Sequence, residues 1–220
     1  MMCDGRLFAP QIAQLGAGRV SAPALDQADS ISAIAADILE KAPETFALGG
    51  LSMGGIVAME IVAQAPGRVT RLALMDTNPL AERPVVKARR GLQMAAVGEG
   101  RLTEVMRDEM KPNYLAPGPR RGAVLDTVLE MALGLGAEVF LAQSRALMDR
   151  SDQTATLSRF KGPSLILCGQ HDALCPVKRH EFMATLMPQA ELVVVEGAGH
   201  LPTLEAPEVV TAALTRWLAA

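Results

Sequence analysis

The chain has 220 residues, of which 50% are hydrophobic and 20% charged, and its formal net charge is −3. This balance offers no basic surface for nucleic acid and no polybasic membrane anchor, and one tryptophan and one tyrosine leave little aromatic surface for stacking on bases. No apolar run reaches the roughly 18 residues of a membrane span. We therefore expect one globular domain with an insertion, acting on a small molecule and not on nucleic acid or a membrane.

The three cysteines are Cys3, Cys168 and Cys175. Their number is odd, their spacing fits no zinc pattern, and no signal peptide precedes them. We expect free thiols and a cytoplasmic location, because the cytosol is reducing.

The first part of the chain alternates strand and helix signals. The pattern predicts a short strand at Val20–Ala22 and a helix with Ile31, Ile34 and Ile38 on one face, capped by Asp29 or Ser30. It then predicts a strand ending at Leu48, a helix over 56–63, and a strand at Leu72–Met75 that ends at Asp76.

Residues 79–160 carry apolar residues at helical spacing and no strand-like runs. After them the pattern predicts strands at Ser164–Cys168 and Leu192–Val195 and helices at Val177–Met187 and Pro207–Leu218. Strands that alternate with helices form a parallel sheet covered on both faces. We predict an α/β core made of residues 1–78 and 161–220, with 79–160 inserted as a helical cap over the strand ends.

The segment Gly50-Leu51-Ser52-Met53-Gly54-Gly55 is typical of a nucleophile elbow between a strand and a helix. A serine on this turn takes a strained backbone conformation, for which small residues at Gly50 and Gly54 leave room. The turn exposes the hydroxyl of Ser52 and directs the N–H of Met53 at the space where an oxyanion forms. No Lys-Ser or Lys-Thr pair follows, so the segment is not a phosphate loop of the nucleotide-hydrolase kind.

A serine nucleophile needs a base, and the base needs a carboxylate to hold its tautomer. Of the three histidines, His200 follows the last predicted strand in a glycine-bounded loop, where active sites of parallel sheets form. Asp172 follows the preceding strand and is the first candidate for the acid. Asp76, which also ends a strand, is the rival acid. We expect His171 to lie at the rim or surface.

These motifs resemble those of the α/β-hydrolase superfamily, in particular its small esterases and enol-lactone hydrolases. Three pieces carry the resemblance: the elbow around Ser52, the stretch Gly169-Gln170-His171-Asp172, and the stretch Gly197-Ala198-Gly199-His200-Leu201-Pro202, with Glu205-Ala206-Pro207-Glu208 after it. The resemblance implies Ser52 as nucleophile, His200 as base, Asp172 as orienting acid, and no metal or organic cofactor.

The N-terminal segment departs from the family pattern. Members usually begin with strands that lead to a His-Gly turn, and the residue after that turn supplies a second oxyanion donor. Met1 to Phe8 resemble the segment just after the turn, so the donor would be the N–H of Met1 or Met2. We expect the full protein to hold a further strand upstream, between the Val20 strand and the elbow strand, with Met1 close to the Ser52 hydroxyl.

The sequence therefore predicts a serine hydrolase that cleaves a small carboxylic ester or lactone through an acyl-enzyme. A thioester hydrolase, a carbon–carbon bond hydrolase of the same fold and a truncated non-catalytic relative are the alternatives. Apolar residues of the predicted cap are candidates for the pocket wall, although most should serve as helix-packing core. These candidates are Met106, Met110, Leu129 and Met131.

Overall fold

The fold is built around four parallel strands in the order β1-β2-β3-β4, in a computed structural model that describes residues 1–220. The strands are β1 (Phe46–Leu51), β2 (Val69–Met75), β3 (Ser164–Gly169) and β4 (Ala190–Val195). All six residues of β3 are buried, because this strand has neighbours on both sides and helices on both faces. Sequential neighbours in one parallel sheet place every strand's carboxyl end at the same edge.

Helices connect the strands and precede the first of them. They are α1 (Ala9–Leu15), α2 (Ile31–Lys41), α3 (Met53–Gln64), α4 (Pro84–Gly98), α5 (Leu102–Glu104), α6 (Arg121–Met148), α7 (Thr154–Arg159), α8 (Val177–Leu186), α9 (Pro202–Glu205) and α10 (Pro207–Ala219). Short 3₁₀ turns lie at Gly5–Phe8 and Lys111–Asn113, and a π-helical turn spans Val105–Met110. No helix is both long enough and apolar enough to cross a membrane.

Apolar residues cover both faces of the sheet. Helices α2, α3 and α8 pack on one face, with Ile34, Met59 and Met183 among the buried side chains. Helix α10 packs on the other face, where Val210 and Trp217 meet the second cluster. This arrangement confirms the predicted α/β fold class with helices on both faces of a parallel sheet.

The chain between β2 and β3 is helical and contains no strand. Helix α6 is interrupted at Gly136, whose φ of 82° is outside the helical range. The assignment of 79–160 as a cap that covers the site stays a prediction.

The four cap residues predicted as pocket wall pack into apolar clusters of the fold. Met106 and Met131 are fully buried, whereas Met110 and Leu129 are half-buried. Met106 and Leu129 contact the cluster around Phe140, and Met131 belongs to the cluster under α10. The packing accounts for their apolar character, and a contact with substrate stays a prediction for each.

The predicted strand at Val20–Ala22 is wrong. These residues have no regular secondary structure, and Ser21 and Ala22 are exposed. Of these residues only Val20 has a high β propensity, and a strand is stabilised by cross-strand pairing, for which the segment has no partner. Strand β1 pairs only with β2 and forms one edge of the sheet, and Ala47 and Gly49 on it are exposed.

Candidate active site

Ser52 occupies a sharp turn between β1 and α3. Its φ of 54° and ψ of −116° lie in a region that side chains with a Cβ rarely adopt. The turn is fixed at its start because Ser52 N–H donates to Met75 O at 2.9 Å, which continues the pairing of β1 with β2. A Cβ at Gly50 would collide with the carbonyl of Gly54, so this position accepts only glycine. The local structure is that of the predicted elbow.

The second glycine that the turn needs is Gly55 and not Gly54. A Cβ at Gly54 would meet open space, whereas a Cβ at Gly55 would lie 2.6 Å from Thr77 Oγ1. Thr77 in turn donates its hydroxyl hydrogen to Ser52 O at 2.8 Å. The end of β2 lies so close to the first turn of α3 that position 55 must be glycine. The prediction that the turn needs a small residue at Gly54 is wrong.

The structure brings Ser52, His200 and Asp172 together. His200 Nε2 lies 2.9 Å from Ser52 Oγ, and His200 Nδ1 lies 2.8 Å from Asp172 Oδ2. His200 and Asp172 are buried, at 1% and 4% exposed, and Ser52 is half-buried. With Nδ1–H donating to the carboxylate, Nε2 has a free lone pair that accepts the hydroxyl hydrogen of Ser52.

Asp172 is held as a carboxylate by three hydrogen bonds. Its Oδ1 accepts the N–H groups of Leu174 at 2.8 Å and Cys175 at 2.9 Å, and its Oδ2 accepts from His200. Burial by itself raises the pKa of Asp172, but the hydrogen bonds from His200, Cys175 and Leu174 outweigh burial, so the pKa lies below its ordinary value. The ionised form is the one that orients a histidine.

Tyr114 from the chain between β2 and β3 contacts His200 twice. The backbone N–H of His200 donates to Tyr114 O at 2.6 Å, and the two rings meet edge to face with centroids 5.2 Å apart. Burial raises the pKa of the Tyr114 hydroxyl, which is therefore neutral. No sequence motif pointed to a role for this tyrosine.

Glu205 at the end of α9 fixes the loop that carries His200. Its Oε2 accepts the N–H groups of Gly199 at 3.0 Å and Ala116 at 2.8 Å, and its Oε1 accepts the N–H of Leu201 at 3.0 Å. Sequence reasoning did not identify this carboxylate as a functional residue. The available signal was an acidic residue close after the glycine-bounded loop, a place where loop N–H groups need acceptors.

Of the predicted oxyanion donors, Met53 is the first residue of α3, so its N–H has no acceptor within the helix. Met2 has a different role. Its N–H donates to Gln143 Oε1 of α6 at 2.8 Å, and it is fully buried. Because this N–H is bonded to Gln143, it is not free to donate to an oxyanion. Met1 packs against the apolar cluster on the sheet and against the cluster around Phe140, and its role as a donor stays a prediction.

Lys111 holds the same N-terminal segment from the other side. Its Nζ donates to Met2 O at 3.1 Å and lies 4.7 Å above the ring of Tyr114. The side chain is fully buried. A carbonyl and an aromatic face thus solvate the ammonium group, and Lys111 and Gln143 connect the segment before Cys3 to the chain between β2 and β3.

Asp76, the rival acid, does not bond to His200. It is fully buried, and its Oδ1 accepts the N–H of Gly169 at 2.9 Å. The carboxylate that bonds to His200 is that of Asp172. His171, next to Asp172, is exposed at the surface.

One set of potential metal ligands overlaps the site. Ligand atoms of Asp172, Cys175 and His200 lie within 4.8 Å of one another. Asp172 and His200 are already bonded to each other, and burial raises the pKa of the Cys175 thiol well above its ordinary value, which disfavours the thiolate that metals prefer. The donor set fits the hydrogen-bonded arrangement better than a metal site.

Comparison with known proteins places this geometry in a family. The model of the alpha/beta hydrolase family matches residues 5–213. A pimeloyl-[acyl-carrier protein] methyl ester esterase from Aromatoleum aromaticum is 27% identical over 199 residues, covering 78% of this chain and 73% of its own.

Solved structures agree. A thermophilic esterase from Thermogutta terrifontis has a TM-score of 0.87 at 28% identity, covering 99% of this chain and 86% of its own. An enol-lactonase from Burkholderia xenovorans has a TM-score of 0.84 at 21% identity, covering 100% and 88%, which shows the fold alone. The chain belongs to the alpha/beta hydrolase family.

Proposed function

We propose that this protein is a serine hydrolase that cleaves a small carboxylic ester, including the cyclic ester of a lactone, through an acyl-enzyme intermediate. The observation that carries the proposal is the chain of contacts from Ser52 Oγ to His200 Nε2 at 2.9 Å and from His200 Nδ1 to Asp172 Oδ2 at 2.8 Å. Each member of such a chain has one role, and the three act as a unit.

In the first half of the reaction, His200 Nε2 takes the hydroxyl proton as Ser52 Oγ attacks the ester carbonyl carbon. The carbonyl oxygen becomes an oxyanion, which the free N–H of Met53 stabilises together with a second donor from the N-terminal segment. His200 then passes its proton to the leaving alcohol, and the acyl group remains on Ser52. Asp172 stabilises the imidazolium that forms between these steps.

In the second half, water replaces the alcohol. His200 Nε2 accepts a proton from water as the water oxygen attacks the acyl carbon, and the proton returns to Ser52 Oγ as the acid leaves. The strained turn at Ser52 keeps Oγ in reach of both the carbonyl and the base throughout.

The relatives support an ester as the substrate class. The pimeloyl-[acyl-carrier protein] methyl ester esterases and the Thermogutta terrifontis esterase, at 27% and 28% identity, are named for ester hydrolysis. We propose that residues 79–160 form a cap that determines which acyl group enters. Two contacts from this segment reach the site: Tyr114 O accepts the N–H of His200, and the N–H of Ala116 donates to Glu205.

The test is hydrolysis of a chain-length series of p-nitrophenyl esters and of simple lactones by the protein, by Ser52→Ala and by Ser21→Ala. Ser21 lies exposed in an irregular segment and is the matched control. We expect turnover of at least one ester by the protein and the control, and only residual turnover by Ser52→Ala. Equal turnover by all three proteins contradicts the proposal.

A further inference from the structure

Asp76 is a fully buried carboxyl group with one unsatisfied oxygen. It ends β2 with a φ of 45°, in the left-handed region, and its N–H donates to Leu167 O at 2.9 Å. Oδ1 accepts the N–H of Gly169 at 2.9 Å. Oδ2 is buried and receives no hydrogen bond from any N–H or hydroxyl group of the protein. A buried carboxylate oxygen without a donor is costly, whereas a protonated oxygen becomes a donor itself.

Gly169 joins Asp76 to Asp172, because its N–H donates to Asp76 Oδ1 at 2.9 Å and its carbonyl accepts the N–H of Asp172 at 3.2 Å. Asp172 is also the nearby charged group that acts most strongly on Asp76, so its carboxylate is the acceptor for a proton on Asp76. Two buried carboxyl groups in contact do not both ionise, because like charges repel strongly in a low dielectric. Asp172 accepts three hydrogen bonds, from Leu174, Cys175 and His200, and Asp76 accepts one. The charge therefore belongs on Asp172 and the proton on Asp76.

The other groups around Asp76 supply no positive charge that would favour its ionised form. His180 of α8 accepts the N–H of Thr77 through Nε2 at 3.1 Å, and burial lowers its pKa to about 4, so it is neutral. Burial raises the pKa of the Cys168 thiol on β3 to about 12 and that of Cys175 well above its ordinary value, so neither is a thiolate.

Of the charged groups further out, Glu205 of α9 adds a negative charge on the side of the His200 loop, which also favours the protonated form of Asp76. The guanidinium of Arg179 on α8 donates to Asn78 Oδ1 at 2.9 Å and not to Asp76. Burial, followed by the charge of Asp172, raises the pKa of Asp76 well above its ordinary value.

We propose that Asp76 is a neutral carboxylic acid whose Oδ2–H donates a hydrogen bond to the Asp172 carboxylate, which makes it a positioning residue for the acid of the triad. The proposal rests on the proposed function for its effect on catalysis. The proton stays on Asp76 through the reaction, and no bond to it is made or broken. The added donor fixes the orientation of the carboxylate that holds His200 Nδ1–H.

This arrangement has a consequence at alkaline pH. When Asp76 loses its proton, Asp172 loses a donor and gains a neighbouring negative charge. Activity should therefore fall on the alkaline side as Asp76 ionises, in a step that disappears when residue 76 has no acidic proton.

The experiment compares the whole protein with Asp76→Asn and Asp76→Ala. Asparagine retains an acceptor for the Gly169 N–H and a neutral donor for Asp172, whereas alanine removes both. We expect Asp76→Ala to lower kcat by about 10- to 100-fold, Asp76→Asn to restore most of it, and the alkaline fall to be absent in Asp76→Asn. In the infrared spectrum in heavy water, we expect a protonated-carboxyl C=O band that Asp76→Asn lacks.

The infrared comparison does not depend on turnover, so it separates this proposal from the proposed function and still decides if Asp76→Ala does not fold. An identical carboxyl band in the protein and in Asp76→Asn would show that residue 76 holds no proton and overturn the proposal. A loss of kcat of about 10³-fold or more in Asp76→Asn would also overturn it, because Asp76 would then act as a carboxylate.

Discussion

Glu205 holds the backbone on both sides of His200, accepting the N–H of Gly199 before it and of Leu201 after it, each at 3.0 Å. The same carboxylate accepts the N–H of Ala116 at 2.8 Å, so one side chain joins the His200 loop to the segment between β2 and β3. Hydrogen bonds to an ionised group contribute about 1.5–3 kcal/mol each, more than those between neutral groups. The position of His200 thus depends on a residue that bonds to neither Ser52 nor Asp172.

Glu205→Gln should lower both stability and activity. One of the two side-chain oxygens becomes an NH₂ group that faces backbone N–H donors, so at least one of the three bonds is lost. We expect a decrease of about 2 kcal/mol in the free energy of unfolding and a lower kcat, measured by denaturant unfolding and ester hydrolysis. Glu208→Gln is the matched control, because Glu208 is exposed and its surface pair with Arg120 contributes little. Equal effects of the two variants would show that Glu205 does not hold His200 in position.

Asp172→Asn should lower kcat by about 10³- to 10⁴-fold. Asparagine keeps the shape of the side chain, but its amide favours the wrong histidine tautomer, in which Nε2 carries the hydrogen. Steady-state kinetics with the best ester of the series measures this effect, and far-UV circular dichroism checks the fold. A larger loss in Asp76→Asn than in Asp172→Asn would assign the triad acid to the end of β2.

His180 should make the protein sensitive to mild acid. Burial lowers the pKa of His180 from 6.5 to about 4, so between these values the unfolded chain binds a proton that the folded chain does not. Stability is therefore full above pH 6.5 and falls as the pH decreases towards 4, by about 3 kcal/mol in all. Asp172, whose pKa is lowered in the folded protein, also contributes to stability at neutral pH. This contribution is lost only at still lower pH, as the pH falls below the ordinary pKa of an aspartate and the carboxylate is protonated.

Urea unfolding of the protein, His180→Gln and His171→Gln at a series of pH values tests this window. His180→Gln should be less stable at neutral pH but show a flatter dependence between pH 6.5 and 4, since glutamine does not titrate. His171 is exposed, so His171→Gln should retain the steep dependence. If His180→Gln loses as much stability between pH 6.5 and 4 as the unmodified protein does, a group other than His180 causes the loss.

Replacing the segment between β2 and β3 should change substrate ranking. The exchange takes 79–110 and 119–160 from the Thermogutta terrifontis esterase and keeps residues 111–118, because Tyr114 and Ala116 support His200 and Glu205. We expect a new order of preference among p-nitrophenyl esters, with labelling of Ser52 by a fluorophosphonate retained. An unchanged order would leave this segment with a structural role alone.

The sequence predicts those parts of the site that short, local patterns specify. The elbow at Ser52 needs glycine within a few residues, and Asp172 and His200 each follow a strand, so order along the chain places all three at one edge of the sheet. The observed bounds of β3 and β4 differ from those predicted by one or two residues, because strand ends depend on neighbouring strands.

The remaining features depend on contacts between distant residues. Gln143 bonds to Met2 across 141 positions and Glu205 to Ala116 across 89, and neither pairing leaves a local pattern in the chain. The need for glycine at Gly55 comes from Thr77, which β2 brings against α3. The predicted strand at 20–22 was wrong for the same reason, because a strand requires a partner that its own residues do not specify.

The proposed function depends above all on Ser52 being a nucleophile that His200 activates. The most direct measurement is mass spectrometry of peptides from the protein, His200→Ala and Ser21→Ala after treatment with a fluorophosphonate. We expect one modified peptide, with the adduct on Ser52, in the protein and in Ser21→Ala, and labelling slowed by orders of magnitude in His200→Ala. An adduct on another serine, or equal labelling rates with and without His200, would contradict it.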